Sequence, residues 1–197
     1  MSLEYDLILA SQSPRRRELL KQIGVRFEVK VSKIEELRGV DEDPEYYVQR
    51  LALEKAQACA SQAIPVLGSD TTVVIDDEVL EKPRNQIDAA DMLAALSGRA
   101  HEVITAVSLV QGLSEGNFRN KTIISRSKVT FRSISRDEAL AYWHTGEPAD
   151  KAGGYAIQGL GAVFVKDIRG SYSGIMGLPL FETAQLLREF NVPVWRL

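Results

Sequence analysis

The sequence predicts an α/β protein built on a mixed rather than wholly parallel sheet. Short apolar runs alternate with amphipathic segments of helical length, the pattern that places helices against a sheet. Strand-like runs also follow one another directly in the middle of the chain, which calls for antiparallel hairpins. Clear capping residues open several of the helical segments.

Leu7–Ala10 reads as a short buried strand. Ser13 then suits an N-cap, Pro14 the first helical position, and Gly24 the helix end. Phe27–Val31 is a second strand. Asp43-Pro44 opens a helix reaching about Ser61. Val66–Ile75 is a strand that turns at Asp76-Asp77 and returns through Val79-Leu80. A helix over Gln86–Leu96 stops at Gly98. Strand-rich stretches over Glu102–Val110 and Thr122–Arg132 flank a Gly/Ser/Asn loop. Ser135 and Glu138 form a capping box for a helix to His144. Ala162–Ile168 is the last strand and Leu180–Phe190 the last helix. The irregular stretch Glu147–Gly161 is a candidate functional loop.

The 197 residues suit one large domain or two tightly joined lobes; no repeat or linker-like composition break divides them. Hydrophobic residues at 45% and charged residues at 26% are those of an ordinary globular protein, which excludes disorder and collagen. A single cysteine, Cys59, excludes an internal disulfide scaffold and a Cys-rich zinc module. Only His101 and His144 could serve a histidine metal cage, and their spacing fits none. The net charge of −3 argues against a long nucleic acid but leaves room for a local basic site. No targeting segment and no membrane-length apolar run is visible, so a cytoplasmic location is expected.

Four constellations could carry chemistry. In Ser11-Gln12-Ser13-Pro14-Arg15-Arg16-Arg17 a strand gives way to a helix, whose N-terminus attracts anions. At about 100° per residue, Arg16 lies in line with the apolar stripe of Leu19, Leu20 and Ile23, while Arg15 and Arg17 flank it. Such a set either binds phosphate or is a solvated basic helix start. Lys55 interrupts the apolar face of Val48, Leu51 and Cys59, so its ammonium either snorkels to solvent or enters a polar cleft holding an anion. Asp70, in Gly68-Ser69-Asp70-Thr71-Thr72, sits among apolar strand residues, where aspartate is depleted. It is either a bulge or turn residue or a reactive carboxylate. Glu81-Lys82-Pro83 follows, by default a solvated strand edge.

The fourth is Lys151–Gly161, whose four glycines permit unusual backbone angles and close approach to a ligand. It is neither a Walker loop nor a dinucleotide fingerprint. Glu35-Glu36 is a surface pair by default, though near phosphate-binding groups it could hold Mg²⁺. On their face values His101 and His144 are structural and Cys59 is a small core hydrophobe.

Leu9-Ala10-Ser11-x-Ser13-Pro14-Arg15-Arg16, followed by Glu18-Leu19-Leu20, resembles the opening motif of the Maf family of nucleotide pyrophosphatases. Arg50-Leu51-Ala52-x-x-Lys55-Ala56, Gly68-x-Asp70-Thr71, Glu81-Lys82-Pro83 and Gly177-Leu178-Pro179 occur in the family's order. The resemblance covers Leu7 to about Phe190. It implies a single Maf-like domain over residues 1–197: a curved mixed sheet with flanking helices, in two lobes around a nucleotide cleft, as in inosine triphosphatases. The implied reaction converts a nucleoside triphosphate to monophosphate and pyrophosphate, with a divalent cation, Mg²⁺ or Mn²⁺, as cofactor.

By the same resemblance Ser11, Arg15, Arg16, Lys55 and Lys82 are phosphate-binding positions. Asp70 is the catalytic acid/base carboxylate, and Glu36 joins it on the metal side. Arg15, Thr71 and Gln158 match the subgroup acting on dTTP and UTP; the subgroup acting on 7-methyl-GTP has tryptophan and glutamate in place of Arg15 and Gln158. A glutamine amide can accept from the N3–H of uracil or thymine while donating to a ring carbonyl. Modified pyrimidine nucleotides fall within the same expectation. The expected partner is thus a nucleoside triphosphate, with no nucleic acid and no membrane; a homodimer is left open. The family name is associated with arrest of septum formation, so the alternative is a septum-formation inhibitor acting by protein interaction.

Overall fold

The computed structural model describes residues 4–61, 63–113 and 117–196. Its strands are β1 (Leu7–Leu9), β2 (Phe27–Val29), β3 (Val66–Ile75), β4 (Glu78–Leu80), β5 (Ala100–Gly112), β6 (Phe118–Phe131) and β7 (Val165–Arg169). Its helices are α1 (Pro14–Gln22), α2 (Pro44–Ala58), α3 (Gln86–Leu96), α4 (Arg136–Trp143), α5 (Tyr172–Ile175) and α6 (Leu180–Glu189). The seven strands form one sheet in the order β2-β1-β3-β5-β6-β7, with β4 paired to β3. β1 is parallel to β2 and to β3, whereas β3/β4 and β6/β7 are antiparallel. The sheet is therefore mixed, as the sequence predicts. Among the described residues no helix is long and apolar enough to cross a membrane.

The chain divides into two compact units. The first takes the described residues of Met1–Asp70, Thr105–Ser125 and Gly177–Leu197; the second takes Thr71–Ile104 and Arg126–Met176. Because β3, β5 and β6 each contribute to both units, neither is a contiguous stretch of chain.

In the first unit, Ser13 caps α1 by accepting from the Arg16 amide, with Pro14 at the first helical position. Asp43 caps α2, accepting from the amides of Glu45 and Tyr46. A small core joins Ile8, Ala10, Ala56, Val66 and Val110. The absence of a side chain at Gly68 sets how closely β3 approaches α2: a Cβ there would lie 2.1 Å from the Ala52 carbonyl oxygen. α2 ends at Ala58, a turn earlier than the composition suggests. Cys59 is its half-buried C-cap rather than a member of the helix face, and burial raises its thiol above the usual value.

In the second unit, Asp76 and Asp77 both adopt positive φ, 51° and 64°, and join β3 to β4 as a two-residue hairpin loop. Asn85 caps α3, and Ser135 with Glu138 forms the predicted capping box of α4. The core packs Val73, Leu93, Leu96 and Val129 with Phe131, Tyr142, Tyr155 and Phe164. β5 and β6 are longer than the sequence suggests, and the tip of the Gly/Ser/Asn loop between them, 114–116, lies outside the described residues.

Two further elements differ from expectation. The last strand begins at Val165, not Ala162, because Leu160–Phe164 is wound into a tight helical turn. The Glu147 carboxylate holds the amides of Leu160 and Gly161 and keeps them out of the sheet. α5 is a single turn capped by Ser171, whose hydroxyl accepts from the Gly174 amide at 2.9 Å. Four residues are too few to show a helical period.

Candidate active site

Six of the candidate residues, Ser11, Arg15, Arg16, Glu36, Lys55 and Asp70, lie in the first unit. Parallel pairing places β1 beside β3, so Ser11, just after β1, and Asp70, near the middle of β3, both belong to that layer of the unit. α2 lies against β3 at Gly68 and carries Lys55 to Asp70. The Lys55 ammonium lies 2.7 Å from Asp70 Oδ1 and 2.9 Å from Glu36 Oε2. Lys55 and Asp70 are buried, at 5% and 8% exposure, while half of the Glu36 side chain is exposed. Lys55 thus points inward to a carboxylate pair rather than snorkelling outward. Asp70 is a regular strand residue, not a bulge or turn.

Burial pushes the Asp70 carboxyl above the usual carboxylate range. The positive charges of Lys55 and Arg16 and the Lys55 hydrogen bond oppose this without reversing it. A carboxylate whose proton affinity is raised by burial is a stronger base toward water.

Arg16 is fixed from two sides. Its Nε donates to the Gly177 carbonyl at 2.9 Å, and its Nη1 donates to Ser11 Oγ at 3.2 Å. The same Gly177 carbonyl accepts from the buried Ser69 hydroxyl at 3.0 Å. Gly177 has φ +112°, a backbone state that an L side chain would strain, so the glycine is needed to aim this carbonyl. Ser11 Oγ also accepts from the Ser13 amide at 3.2 Å. Burial lowers the Arg16 pKa, with the negative charges of Asp70 and Glu36 acting against it. Arg15 is half-buried on the first turn of α1.

The loop that carries Glu36 is held by α2. Tyr47 donates its hydroxyl to the Glu36 carbonyl at 3.3 Å, and Arg50 donates to the Leu37 carbonyl at 2.9 Å. Arg50 also forms a two-point bridge to Glu42 at 2.7 and 2.8 Å. Arg50 falls within the Arg50–Ala56 motif, but nothing in the sequence marks it as the anchor of a distant loop.

The remaining candidates belong to the second unit. Thr71 follows Asp70 on β3 and is half-buried. Lys82 is exposed just after β4, and its neighbour Glu81 accepts from the Gly153 amide at 3.1 Å. That bond ties the Glu81-Lys82-Pro83 segment to the glycine-rich stretch. Gln158 is exposed within that stretch. Of its four glycines, Gly153 and Gly154 use positive φ, 67° and 68°. Gly159 and Gly161 instead make room for this chain's own side chains: Cβ atoms there would lie 2.0 Å from Glu147 and 2.6 Å from the Tyr142 hydroxyl. His101 sits in the unit's aromatic core, 2.8 Å from the Tyr155 hydroxyl, and burial lowers its pKa to about 4. His144 is the C-cap of α4.

Among the described residues no group of three or more His, Cys, Asp or Glu is assembled. The oxygen donors at hand are the two carboxylates that share Lys55. Mg²⁺ is commonly held by one or two carboxylates together with substrate phosphates, so this donor set fits a cation that arrives with a nucleotide.

The first unit thus brings together a basic helix start, a buried Lys–Asp pair and a second carboxylate. The profile of the Maf-like protein family matches residues 6–190, and this chain belongs to that family. It is 56% identical over 197 residues to the dTTP/UTP pyrophosphatase of Saccharophagus degradans, covering 97% of this chain and 91% of that one. It is 51% identical to the dTTP/UTP pyrophosphatase of Alkalilimnicola ehrlichii, covering 96% and 95% of the two chains. Among solved structures, the dITP/XTP pyrophosphatase of Mycobacterium abscessus aligns over 94% of each chain at 18% identity and a TM-score of 0.46.

Proposed function

We propose that this protein hydrolyses dTTP and UTP, and modified pyrimidine triphosphates of the same hydrogen-bonding pattern, to the nucleoside monophosphate and pyrophosphate. The observation that carries the reading is the buried Lys55–Asp70 pair at 2.7 Å, with Glu36 on the same ammonium and Arg16 held beside Ser11. The names of the relatives favour this hydrolase over a septum-formation inhibitor.

Ser11, Arg15, Arg16, Lys55 and Lys82 bind the phosphates, through charge and directed N–H and O–H donors. Asp70 takes a proton from the attacking water at a carboxylate oxygen whose proton affinity burial has raised. The water oxygen bonds to phosphorus, the bond to the pyrophosphate oxygen breaks, and pyrophosphate leaves with the charge that the cationic residues stabilise. Asp70 and Glu36 would hold a Mg²⁺ or Mn²⁺ ion, which when bound supplies further charge neutralisation at the phosphates. Gln158 reads the base, accepting from N3–H and donating to a carbonyl, with Arg15 and Thr71 as further specificity positions. All of these residues lie in one Maf-like domain spanning 1–197.

A panel of nucleoside triphosphates assayed for pyrophosphate release, with Mg²⁺ and Mn²⁺ in turn, tests the reading. Release from UTP and dTTP well above that from purine triphosphates and CTP is the expected result. Release from purine triphosphates at equal efficiency would overturn the substrate assignment.

A further inference from the structure

The turn that carries Gln158 is gripped on both flanks by one pair of side chains. Tyr142, near the end of α4, donates its hydroxyl to Glu147 Oε1 at 2.5 Å. The same hydroxyl accepts from the Ala156 amide at 3.1 Å, two residues before Gln158. Glu147 Oε1 also accepts from the Gly161 amide at 2.9 Å, and Oε2 accepts from the Leu160 amide at 2.9 Å. Backbone donors on either side of Gln158 therefore converge on a single Tyr–Glu pair.

The pair is placed for this task. Tyr142 is 5% exposed, and its ring packs edge-on against Phe164 with centroids 5.2 Å apart. Glu147 opens the short helical turn Glu147–Asp150, and its amide donates to the Thr145 hydroxyl at 3.2 Å. Desolvation alone would raise the Glu147 pKa; the bonds from Tyr142, Gly161 and Leu160 outweigh it and keep the carboxyl below its ordinary value. A Cβ at 159 would lie 2.0 Å from the Glu147 carboxylate, so any other residue there would displace Glu147 from this position.

A glutamine amide is ambidextrous. Flipped by half a turn, it offers donor and acceptor in the order that suits cytosine instead of uracil. Telling the two apart requires that the amide be held in one place and orientation, which begins with a fixed backbone root. We propose that Tyr142 and Glu147 are specificity-positioning residues, which hold the Gln158 turn so that its amide discriminates uracil and thymine from cytosine. The proposal rests on the reading that Gln158 contacts the base.

The test compares kcat/KM for UTP with that for CTP in the wild type and in Gln158→Ala, Glu147→Gln, Tyr142→Phe and the Gln158→Ala/Glu147→Gln double variant. Glu147→Gln turns one acceptor into a donor that opposes the backbone N–H groups. Tyr142→Phe keeps the ring packing and removes only the hydroxyl, so it serves if the first variant folds poorly. The expected result is a UTP/CTP ratio lowered about tenfold by Gln158→Ala and at least about threefold by each clamp variant. The double variant should be no less selective than Gln158→Ala alone, because the clamp acts through Gln158. Clamp variants that lower kcat/KM for both nucleotides equally, while Gln158→Ala still changes the ratio, would overturn the positioning role and leave base reading by Gln158 intact. An unchanged ratio in Gln158→Ala would overturn the base-reading role itself, and this proposal with it.

Discussion

Lys55 Nζ sits 2.7 Å from Asp70 Oδ1, with both side chains almost fully withdrawn from solvent. A charge pair in that position is costly to break from one side, because the remaining partner stays buried without compensation. Lys55→Met should therefore destabilise the fold by about 3 kcal/mol. Adding Asp70→Asn to Lys55→Met should restore part of that loss, since the stranded carboxylate is gone. Urea denaturation of the two single variants and the double variant measures the coupling directly.

Arg16 meets the Gly177 carbonyl through Nε and Ser11 through Nη1, a geometry that depends on the planar guanidinium. Arg16→Lys keeps the charge but cannot make both bonds at once. It should raise KM for UTP about tenfold, with a smaller effect on stability. Steady-state kinetics together with a thermal melt separate the two effects.

His101 makes a clear statement about acid stability. Its folded-state pKa is depressed to about 4 from the ordinary 6.5, so the buried ring stays neutral where the unfolded chain binds a proton. The associated stability is intact above pH 6.5 and is lost as the pH falls from there to about 4. The shift corresponds to about 3 kcal/mol across that window. His101→Gln can still hydrogen-bond the Tyr155 hydroxyl without titrating. It should lose markedly less stability than the wild type between pH 7.5 and 4.5, as read by chemical denaturation at each pH.

Much of the local structure was legible because it is dictated locally. Ser13-Pro14, Asp43-Pro44 and Ser135 with Glu138 each mark a helix start, and Asp76-Asp77 marks a hairpin. Lys55 stood out because a lysine on an apolar stripe must find either water or a partner. Its partner could not be read, since Asp70 reaches it only through the packing of α2 on β3 at Gly68. The role of the Gly177 carbonyl is not legible for a related reason: a backbone acceptor leaves no chemical signature in the residue type. The glycines at 159 and 161 were visible, but the groups that fill their space, Glu147 and Tyr142, lie a dozen or more residues earlier in the chain. Long-range placement of this kind comes from tertiary packing, which residue spacing does not encode.

In the proposed reaction Asp70 takes the proton from the attacking water. Pyrophosphate release from UTP by Asp70→Asn, measured beside its equilibrium binding of the nucleotide, tests this role. Turnover should fall by roughly 10²-fold or more while binding is retained; turnover near that of the wild type would contradict it.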